Sequence, residues 1–550
     1  MGSTLRGTDV LLLAAVSLAV LLPGTIGVSF VDRDEGWYAQ VVREMRASGD
    51  WLVPRYLGRA WLGKPPLLYW LVGVSTWLFG FGEWQARLVP VLAAAANTVL
   101  VGILGARLFD RRVGLWAGLI FVTFGLVTVT GKLLLADSLV LTWILAAVIL
   151  QWRMASEGVT HGRAILHGVV VGLGLLAKGP VILIFAGAFA LALFVVLKER
   201  RRAWLGDWRW WLWGGLALVV AGPWYVHIAR HASDTFVSQF LRYELVSRLV
   251  GKRHGGGGGF PGFYLLVSLV GLLPWTACVP GAVVRAFRRR REEAVCRLLL
   301  WWLAVPWVFL EFLRSNPPNY ILPCYVPLAV LLAAELVERF SVGQTWAQLH
   351  RPAARAMEFL WWPMLVGGGL IVLAGAVNGR HAWGLAAAVS GAVVVGAFIR
   401  AREHAHRRTI QAGCAAVVAA AVATHLAFGA VFLPTLEPLR FSRRVAVAIN
   451  AAAEPADTVL LCGYKEPTVY VYLDRPVRTV HPEDLVQTLA SCDRTKPVVL
   501  AVTEAELDRL GPPASDVLAL FTTSDRITGV NHVKLQRVTV RVARRNGSPG

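Results

Sequence analysis

Residues 65–81 read PPLLYWLVGVSTWLFGF, and the way this stretch meets the membrane decides the topology of the whole chain. It is apolar, but it begins with two prolines and has only 17 residues, fewer than the ~20 that a membrane-crossing helix needs. If this stretch crossed the membrane, every later cluster of arginines would face outward, against the positive-inside rule. We therefore predict an amphipathic helix that lies in the membrane interface.

The composition places the chain among polytopic membrane proteins. Of its 550 residues, 56% are hydrophobic and 16% are charged, against about 25% charged in soluble proteins. A net charge of +21 would suggest a nucleic-acid partner in a soluble protein. Here the arginines concentrate in short loops between apolar segments, where the positive-inside rule explains them. We therefore expect no nucleic-acid partner.

Thirteen apolar segments remain as candidate membrane spans: residues 10–28, 88–106, 113–130, 137–151, 165–178, 180–197, 211–229, 262–283, 298–312, 320–338, 358–377, 382–399 and 410–433. The first is expected to be a retained helix, because no small-residue cleavage site follows it. This topology puts the N-terminus in the cytoplasm and the 29–87 loop outside. We predict an all-α polytopic membrane domain over residues 1–433, with interfacial helices in the 29–87 loop.

The tail from residue 434 to 550 has a different pattern and is predicted to be a small extracytoplasmic α/β domain. Short β-branched runs predict strands at Thr458–Cys462, Thr468–Leu473, Val498–Val502 and Val533–Val542, and a helix at Thr503–Leu510. Cys462 and Cys492 both lie in this tail. Whether they form a disulfide is left open by the sequence.

Residues 32–69 contain the first candidate site, a carboxylate cluster next to the first apolar segment. Asp34 and Glu35 lie where desolvation is costly, which marks either chemistry or, for Asp34, a helix N-cap. Tyr38 follows one helical turn later. Lys64 precedes two prolines, which hold it in an extended conformation. Such a fixed cation suits a phosphate headgroup, although a lysine can also extend from apolar surroundings to the membrane surface.

Further candidates lie on the same predicted outer face. Asp137 opens the fourth span, where helix capping is the alternative role. Lys178 interrupts a nearly continuous apolar stretch and must face a polar cavity or the interface. His254 could bind substrate or a metal, but a lone loop histidine usually is not a ligand. No nucleotide-binding motif and no metal-ligand spacing occurs, so no cofactor is expected, with a divalent metal left open.

Several motifs together resemble the C-type membrane glycosyltransferases (GT-C). The quoted similarity comprises DEGWYAQVVREMRASGDWLVPRYLGRAWLGKPPLLYWL from residue 34, FGEWQARLVPVL, LLADSLVL, LGLLAKGPVIL, GPWYV and NYILPCYVPLAVLLA. Within that superfamily the chain looks most like the aminoarabinose transferase of lipid A, next to the protein O-mannosyltransferases of glycosyltransferase family 39. The similarity runs from the first span to about Leu336.

The resemblance implies a helical membrane body and a donor sugar carried on a polyprenyl phosphate. It implies Asp34 as the general base on the acceptor hydroxyl, inversion at the sugar, and Asp137 as a second acidic position. We expect Asp34, Glu35 and Asp137 to be the catalytic carboxylates. It also implies that the carrier phosphate is held by Tyr38, Lys64, Lys178 and Tyr320. Two departures stand out: Gly63 replaces an acidic residue before Lys-Pro-Pro, and SNPPNYILP lacks a lysine found in relatives.

We therefore expect a glycosyltransferase on the outer face of the cytoplasmic (inner) membrane, with a polyprenyl-phosphate-linked sugar as donor and a lipid or envelope glycan as acceptor. Protein O-mannosylation is the first alternative. A transporter for polyprenyl lipids is the second, although a transporter would place its ionisable residues at mid-membrane depth. Donor sugar and acceptor identity stay open.

Overall fold

The computed structural model describes residues 3–31, 33–199, 201, 206–240, 260–313, 317–341, 396, 410–435, 441–493, 495–510, 521, 523–531 and 536–546. The chain divides into two compact units: Met1–Ile26 with Asp50–Leu433, and Gly27–Gly49 with Pro434–Gly550. The first unit is almost entirely helical, and the second contains a five-stranded sheet.

The helices, in chain order, are α1 (Gly7–Leu21), α2 (Asp34–Ser48), α3 (Leu67–Phe79), α4 (Glu83–Leu108), α5 (Arg111–Thr123), α6 (Gly125–Lys132), α7 (Asp137–Glu157), α8 (His161–Lys178), α9 (Val181–Val196), α10 (Trp208–His231), α11 (Phe263–Gly271), α12 (Val279–Arg289), α13 (Ala294–Phe312), α14 (Tyr325–Ser341), α15 (Ile410–Ala427), α16 (Phe441–Ala452), α17 (Pro467–Tyr472), α18 (Leu485–Ser491) and α19 (Glu504–Leu510). The strands are β1 (Arg55–Tyr56), β2 (Arg59–Ala60), β3 (Thr458–Cys462), β4 (Arg478–Val480), β5 (Val498–Thr503), β6 (Thr523–Asn531) and β7 (Gln536–Arg545). A 3-10 helix, Pro318–Cys324, leads into α14.

The first unit has the helices of a membrane protein. Within the described residues, six helices are long and apolar enough to cross a membrane, and α5 with α6 form a seventh span if this pair, bent by 65°, counts as one. On α10, Leu218 and Val219 are each 69% exposed, a surface that suits lipid rather than water. By contrast, the Pro318–Ser341 span is 94% buried and forms the centre of the unit. The chain is therefore a multi-pass helical membrane protein.

Some predicted spans differ from the observed helices. The predicted span 262–283 is wrong as a single helix, because α11 ends at Gly271 and α12 begins only at Val279, after turns around Pro274. The first helix is shorter than predicted and ends at Leu21, just before Pro23 and Gly24. The predicted spans 358–377 and 382–399 lie, apart from residue 396, outside the described residues. The total of thirteen spans stays a prediction.

The stretch that decides the topology forms α3. This helix has 13 residues and a length of about 20 Å, less than a ~30 Å hydrocarbon core and less than the 15 and 16 residues of the apolar helices α1 and α9. Pro66 stands at its N-cap, and Gly80, at φ +84°, ends it. Its final turn exposes Trp77 at 76% and Leu78 at 58%. These features fit an interfacial helix.

The second unit is organised around a mixed sheet in the order β4-β3-β5-β7-β6. Strand β3 pairs in parallel with β4 and β5, and β7 runs antiparallel to β5 and β6. One face of the sheet packs Leu460, Cys462, Leu500 and Val502 into an apolar cluster with α18. Cys462 and Cys492 are both free thiols in contact with this cluster.

Two sequence predictions for this unit need correction. The predicted strand Thr468–Leu473 is wrong: the segment forms α17, with Pro467 at its first position, because it packs as a buried turn of helix against α2 and α16. The second correction concerns residues 29–87, which the sequence assigns to the membrane domain as one loop. The structure instead groups Gly27–Gly49 with the C-terminal unit.

Specific contacts explain why α2 belongs to the second unit. A Cβ at Gly36 would lie 2.6 Å from the backbone nitrogen of Thr468, so only glycine allows α2 to approach α17 this closely. The Arg43 guanidinium donates to the carbonyl oxygens of Tyr470 and Val471 at 2.9 and 3.1 Å. These contacts join segments more than 400 residues apart in sequence.

Candidate active site

Four of the residues selected from the sequence line one cavity in the first unit. Lys64, Asp137, Lys178 and Tyr320 surround a space of about 360 Å³, which we call the lysine cavity. They come from the segment before α3, the start of α7, the end of α8 and the 3-10 helix before α14. Each of these residues was predicted from the sequence on its own, and the fold places all four around the same cavity.

Lys178 and Asp137 form the central ion pair of this cavity. Lys178 Nζ lies 2.6 Å from Asp137 Oδ1, and their side chains are only 7% and 8% exposed. Lys178 is the last residue of α8 and Asp137 is the first of α7, so each charge complements its own helix dipole as well as its partner. Asp137 is therefore not the N-cap, a position that Ala136 occupies. The pair fixes the direction of the Lys178 ammonium group.

Tyr320 and Lys64 complete the polar lining. Lys178 Nζ lies 4.6 Å from the centre of the Tyr320 ring, within the range of a cation–π interaction. Lys64 is half-buried, and its Nζ donates to the carbonyl oxygen of Gly63 at 2.8 Å. Two ammonium groups and a phenol thus face one cavity next to a single carboxylate. This arrangement suits an anionic ligand such as a phosphate.

Gly63, the departure noted in the sequence, has a structural explanation. A Cβ at this position would lie 2.6 Å from the indole ring of Trp61. The ring also packs edge-on against Tyr69, with centroids 6.4 Å apart. An acidic side chain at residue 63 would therefore require Trp61 to move. The Trp61 ring occupies the space that a carboxylate side chain at residue 63 would need.

The apolar wall of the cavity was not anticipated from the sequence. Phe185, Phe240 and Phe309 line it together with Pro180. Phe240 contacts Tyr225, whose hydroxyl group donates to the carbonyl oxygen of Leu175 at 3.0 Å. Tyr225 belongs to the GPWYV motif, and this motif was the one sequence feature that could have pointed to the wall of the cavity. Phenylalanines in apolar segments give no comparable signal, because most of them pack in the core or face lipid.

The carboxylates of the first loop lie in the second unit. Asp34 is the first residue of α2 and is exposed, whereas Glu35 is 2% exposed and its Oε2 accepts the Val31 N–H at 2.7 Å. Arg33, the residue before them, has φ +71°, a conformation that costs a non-glycine residue about 1–3 kcal/mol. Glu35 holds this turn, and Asp34 is left exposed. Tyr38 is buried on the same helix.

His254 lies outside the described residues. Within the ranges that the structure describes, no three His, Cys, Asp or Glu side chains come together in a group that could hold a metal ion.

Comparison with known sequences gives matches to sugar transferases. A family profile described as dolichyl-phosphate-mannose-protein mannosyltransferase matches residues 63–227, which include Lys64, Asp137 and Lys178. The undecaprenyl phosphate-alpha-4-amino-4-deoxy-L-arabinose arabinosyl transferase of Erwinia tasmaniensis is 33% identical over 308 residues, 54% of each chain. The protein of the same name from Pseudomonas aeruginosa is 31% identical over 352 residues, 62% of each chain. The similarity thus spans little more than half the length of these curated relatives.

Comparison with solved structures extends the likeness to the whole chain. ArnT from Cupriavidus metallidurans, in a crystal structure bound to undecaprenyl phosphate, matches with a TM-score of 0.72 and 20% identity over 98% of both chains. The oligosaccharyltransferase of Archaeoglobus fulgidus matches with a TM-score of 0.51 and 11% identity, over 86% of this chain and 63% of that one. These structures share the fold of the chain. The sequence matches, together with this shared fold, confirm the resemblance that the motifs indicate.

Proposed function

We propose that this chain, a relative of the C-type membrane glycosyltransferases with the fold of ArnT, moves a sugar from a polyprenyl-phosphate carrier to an acceptor at the membrane. The observation that carries the proposal is the cavity in which Lys64, Lys178 and Tyr320 converge beside an apolar wall. A polyprenyl-phosphate sugar has both features, an anionic phosphate and a hydrocarbon chain. The names of the relatives make aminoarabinose on undecaprenyl phosphate the first donor to test.

In this proposal the lysines act on the leaving group. As the bond between the anomeric carbon and the phosphate oxygen breaks, negative charge develops on the departing carrier phosphate. Ammonium groups that already point at that position stabilise the charge without reorganising. Lys178 is held in this way by Asp137, at 2.6 Å. We assign Asp137 as a positioning residue for Lys178, rather than a group that reacts with substrate.

Asp34 is proposed as the general base. Its carboxylate would accept the proton of the acceptor hydroxyl while the acceptor oxygen attacks the anomeric carbon, which inverts the configuration there. Such proton transfer contributes about 10²–10⁴-fold to a rate. The exposure of Asp34 supports this role, since an incoming acceptor can reach it. Glu35, held by the Val31 N–H, is proposed to fix the turn that presents Asp34. Tyr38 and His254 stay proposed substrate-binding residues.

The proposed location is the cytoplasmic (inner) membrane, with the active site on its outer face. The arginine-rich short loops support this orientation, because the positive-inside rule keeps them in the cytoplasm. The shortness of α3 adds support, since an interfacial α3 preserves that orientation for every later span. The acceptor is proposed to be a lipid or an envelope glycan, with lipid A as the first candidate.

Protein O-mannosylation is the second candidate function. The observation that favours it is the family profile over residues 63–227. Both functions would use the same leaving group and the same lysines, so the cavity does not distinguish them. They differ in the acceptor, which has to be identified chemically.

The test is a search for the product by mass spectrometry. The purified protein is reconstituted in vesicles of membrane lipid extract with undecaprenyl-phosphate-linked aminoarabinose, and the Asp34→Asn variant is the matched control. A sugar adduct on a lipid that disappears with Asp34→Asn supports the proposal. An adduct on protein serine or threonine supports the second candidate. If the intact protein binds the carrier yet forms no adduct, the transferase proposal fails and a transporter of polyprenyl lipids becomes the better explanation.

A further inference from the structure

A second, larger groove lies in the first unit, away from the lysines. It has a volume of about 990 Å³ and runs between α11, α12 and α13. Its walls include large apolar side chains that are 44–60% exposed: Leu265, Leu269, Val284, Phe287, Trp301 and Val308. We call it the α12–α13 groove. From Arg297 to Val308, α13 rises about 17 Å, close to the thickness of one leaflet of the hydrocarbon core.

Arginines line the end of this groove at the turn between α12 and α13. They are Arg290, Arg291 and Arg297. Arg297 Nη1 donates to the carbonyl oxygens of Arg290 and Arg291 at 3.0 and 3.3 Å. In the part of the chain that the structure describes, none of the three forms an ion pair with a carboxylate. Three cations therefore lie together at the end of an apolar groove.

The neighbouring arginines of α12 are different, because carboxylates neutralise them. Arg285 Nε lies 2.9 Å from Glu335, and the same guanidinium contacts Glu338. Arg289 lies 2.9 Å from Glu293 and also contacts Glu338. Arg285 and Arg289 of α12 are thus compensated by carboxylates, whereas the three arginines at the groove end, in the turn after α12 and on α13, are not. The exposed Arg288 also has no ion pair within the described residues, but it lies outside the groove lining. This contrast indicates that the groove end is suited to an external anion.

We propose that the α12–α13 groove binds an anionic glycerophospholipid, with acyl chains along the apolar wall and the phosphate against Arg290 and Arg291. Basic pockets between membrane helices on the cytoplasmic side are a known means of binding anionic headgroups. A polyprenyl-phosphate carrier fits less well. The lysine cavity that suits its phosphate is lined by Phe309, Leu310 and Leu313, beyond the other end of this groove on α13. About 18 Å of helix separates Arg297 from Phe309.

The test is lipid retention measured by native mass spectrometry on the full chain. The protein is equilibrated in detergent with phosphatidylglycerol, phosphatidylcholine or undecaprenyl phosphate in turn. Arg291→Gln is compared with Arg288→Gln, which removes the same charge from an exposed residue outside the groove lining. We expect phosphatidylglycerol to be retained over phosphatidylcholine, a loss of about fivefold in Arg291→Gln, and a change of less than about twofold in Arg288→Gln. Unchanged thermal stability of both variants excludes misfolding as the cause.

A phosphatidylglycerol with a photoreactive acyl chain locates the site. The expected crosslinks fall on peptides that contain residues 265–308. If Arg291→Gln and Arg288→Gln lose phosphatidylglycerol retention equally, the effect comes from general surface charge and the proposal is overturned. Equal retention of phosphatidylcholine would overturn it as well. If undecaprenyl phosphate displaces phosphatidylglycerol from the same peptides, the groove holds the carrier chain instead.

Discussion

Replacing Lys178 by Met removes the partner of a buried carboxylate and is expected to destabilise the first unit by about 3 kcal/mol. The Asp137 side chain is 8% exposed and its oxygen lies 2.6 Å from Lys178 Nζ, so the variant would leave a charge without compensation. Breaking a buried pair typically costs about 3–5 kcal/mol. The low end applies here, because the pair borders a cavity of about 360 Å³ that can admit water.

A double-mutant cycle separates the ion pair from general packing. Lys178→Met and Asp137→Leu are each measured alone and then combined, by reversible unfolding in mixed micelles with increasing denaturing detergent. The double variant is expected to unfold within about 1 kcal/mol of the wild type, because it buries no charge. As a control, Arg153→Met breaks the exposed pair with Glu157, at 35% and 39% exposure, and should cost less than about 1 kcal/mol. Single variants whose effects simply add would refute the reasoning.

The remaining predictions concern both units. Asp34→Asn should abolish transfer and lower the thermal stability only slightly, because the side chain is exposed at the N-terminus of α2; normal turnover would remove Asp34 as the base. Lys64→Ala should raise the KM for the donor, and a change confined to the acceptor KM would contradict its phosphate role. Gly36→Ala should destabilise the second unit by about 1–3 kcal/mol in a denaturant titration, since the added Cβ would lie 2.6 Å from the Thr468 nitrogen. An unchanged midpoint would show that α17 can shift away from α2 at little cost in stability. Cys462 is fully buried, and burial raises its thiol pKa to about 11, so its alkylation at pH 8 should be much slower than that of the partly exposed Cys492; equal alkylation of the two thiols in peptide mapping would contradict this.

The sequence predicted the members of the lysine cavity better than their arrangement. Lys178 stood out because a charge between two apolar segments needs a polar surrounding, and Asp137 because it opens a span. Their 2.6 Å contact could not be predicted, since it depends on how α7 and α8 pack. The packing of Trp61 against Gly63 was hidden for a similar reason. The sequence shows a glycine at residue 63, but it does not show which side chain packs against that glycine.

Both errors in the predicted fold of the second unit have their cause in tertiary contacts. TVYVYL at residues 468–473 alternates as a strand does, but Pro467 starts a helix and α2 and α16 bury it. Tertiary contacts here override the intrinsic preference of β-branched residues. The assignment of Gly27–Gly49 to the second unit depends on contacts between Arg43 and Tyr470, over 400 positions away. Hydropathy and loop charge carry no information about such long-range contacts.

The most direct test of the proposed function is the release of free undecaprenyl phosphate from undecaprenyl-phosphate-linked aminoarabinose. Release is measured by chromatography in vesicles that contain lipid A and either the wild-type chain or the Asp34→Asn variant. We expect the wild type to release the carrier only when the acceptor lipid is present, and Asp34→Asn to release it near background. Equal release by the two proteins would contradict the assignment of Asp34. If the wild-type protein binds the carrier but releases none of it with any sugar or acceptor supplied, the proposed transferase activity is contradicted.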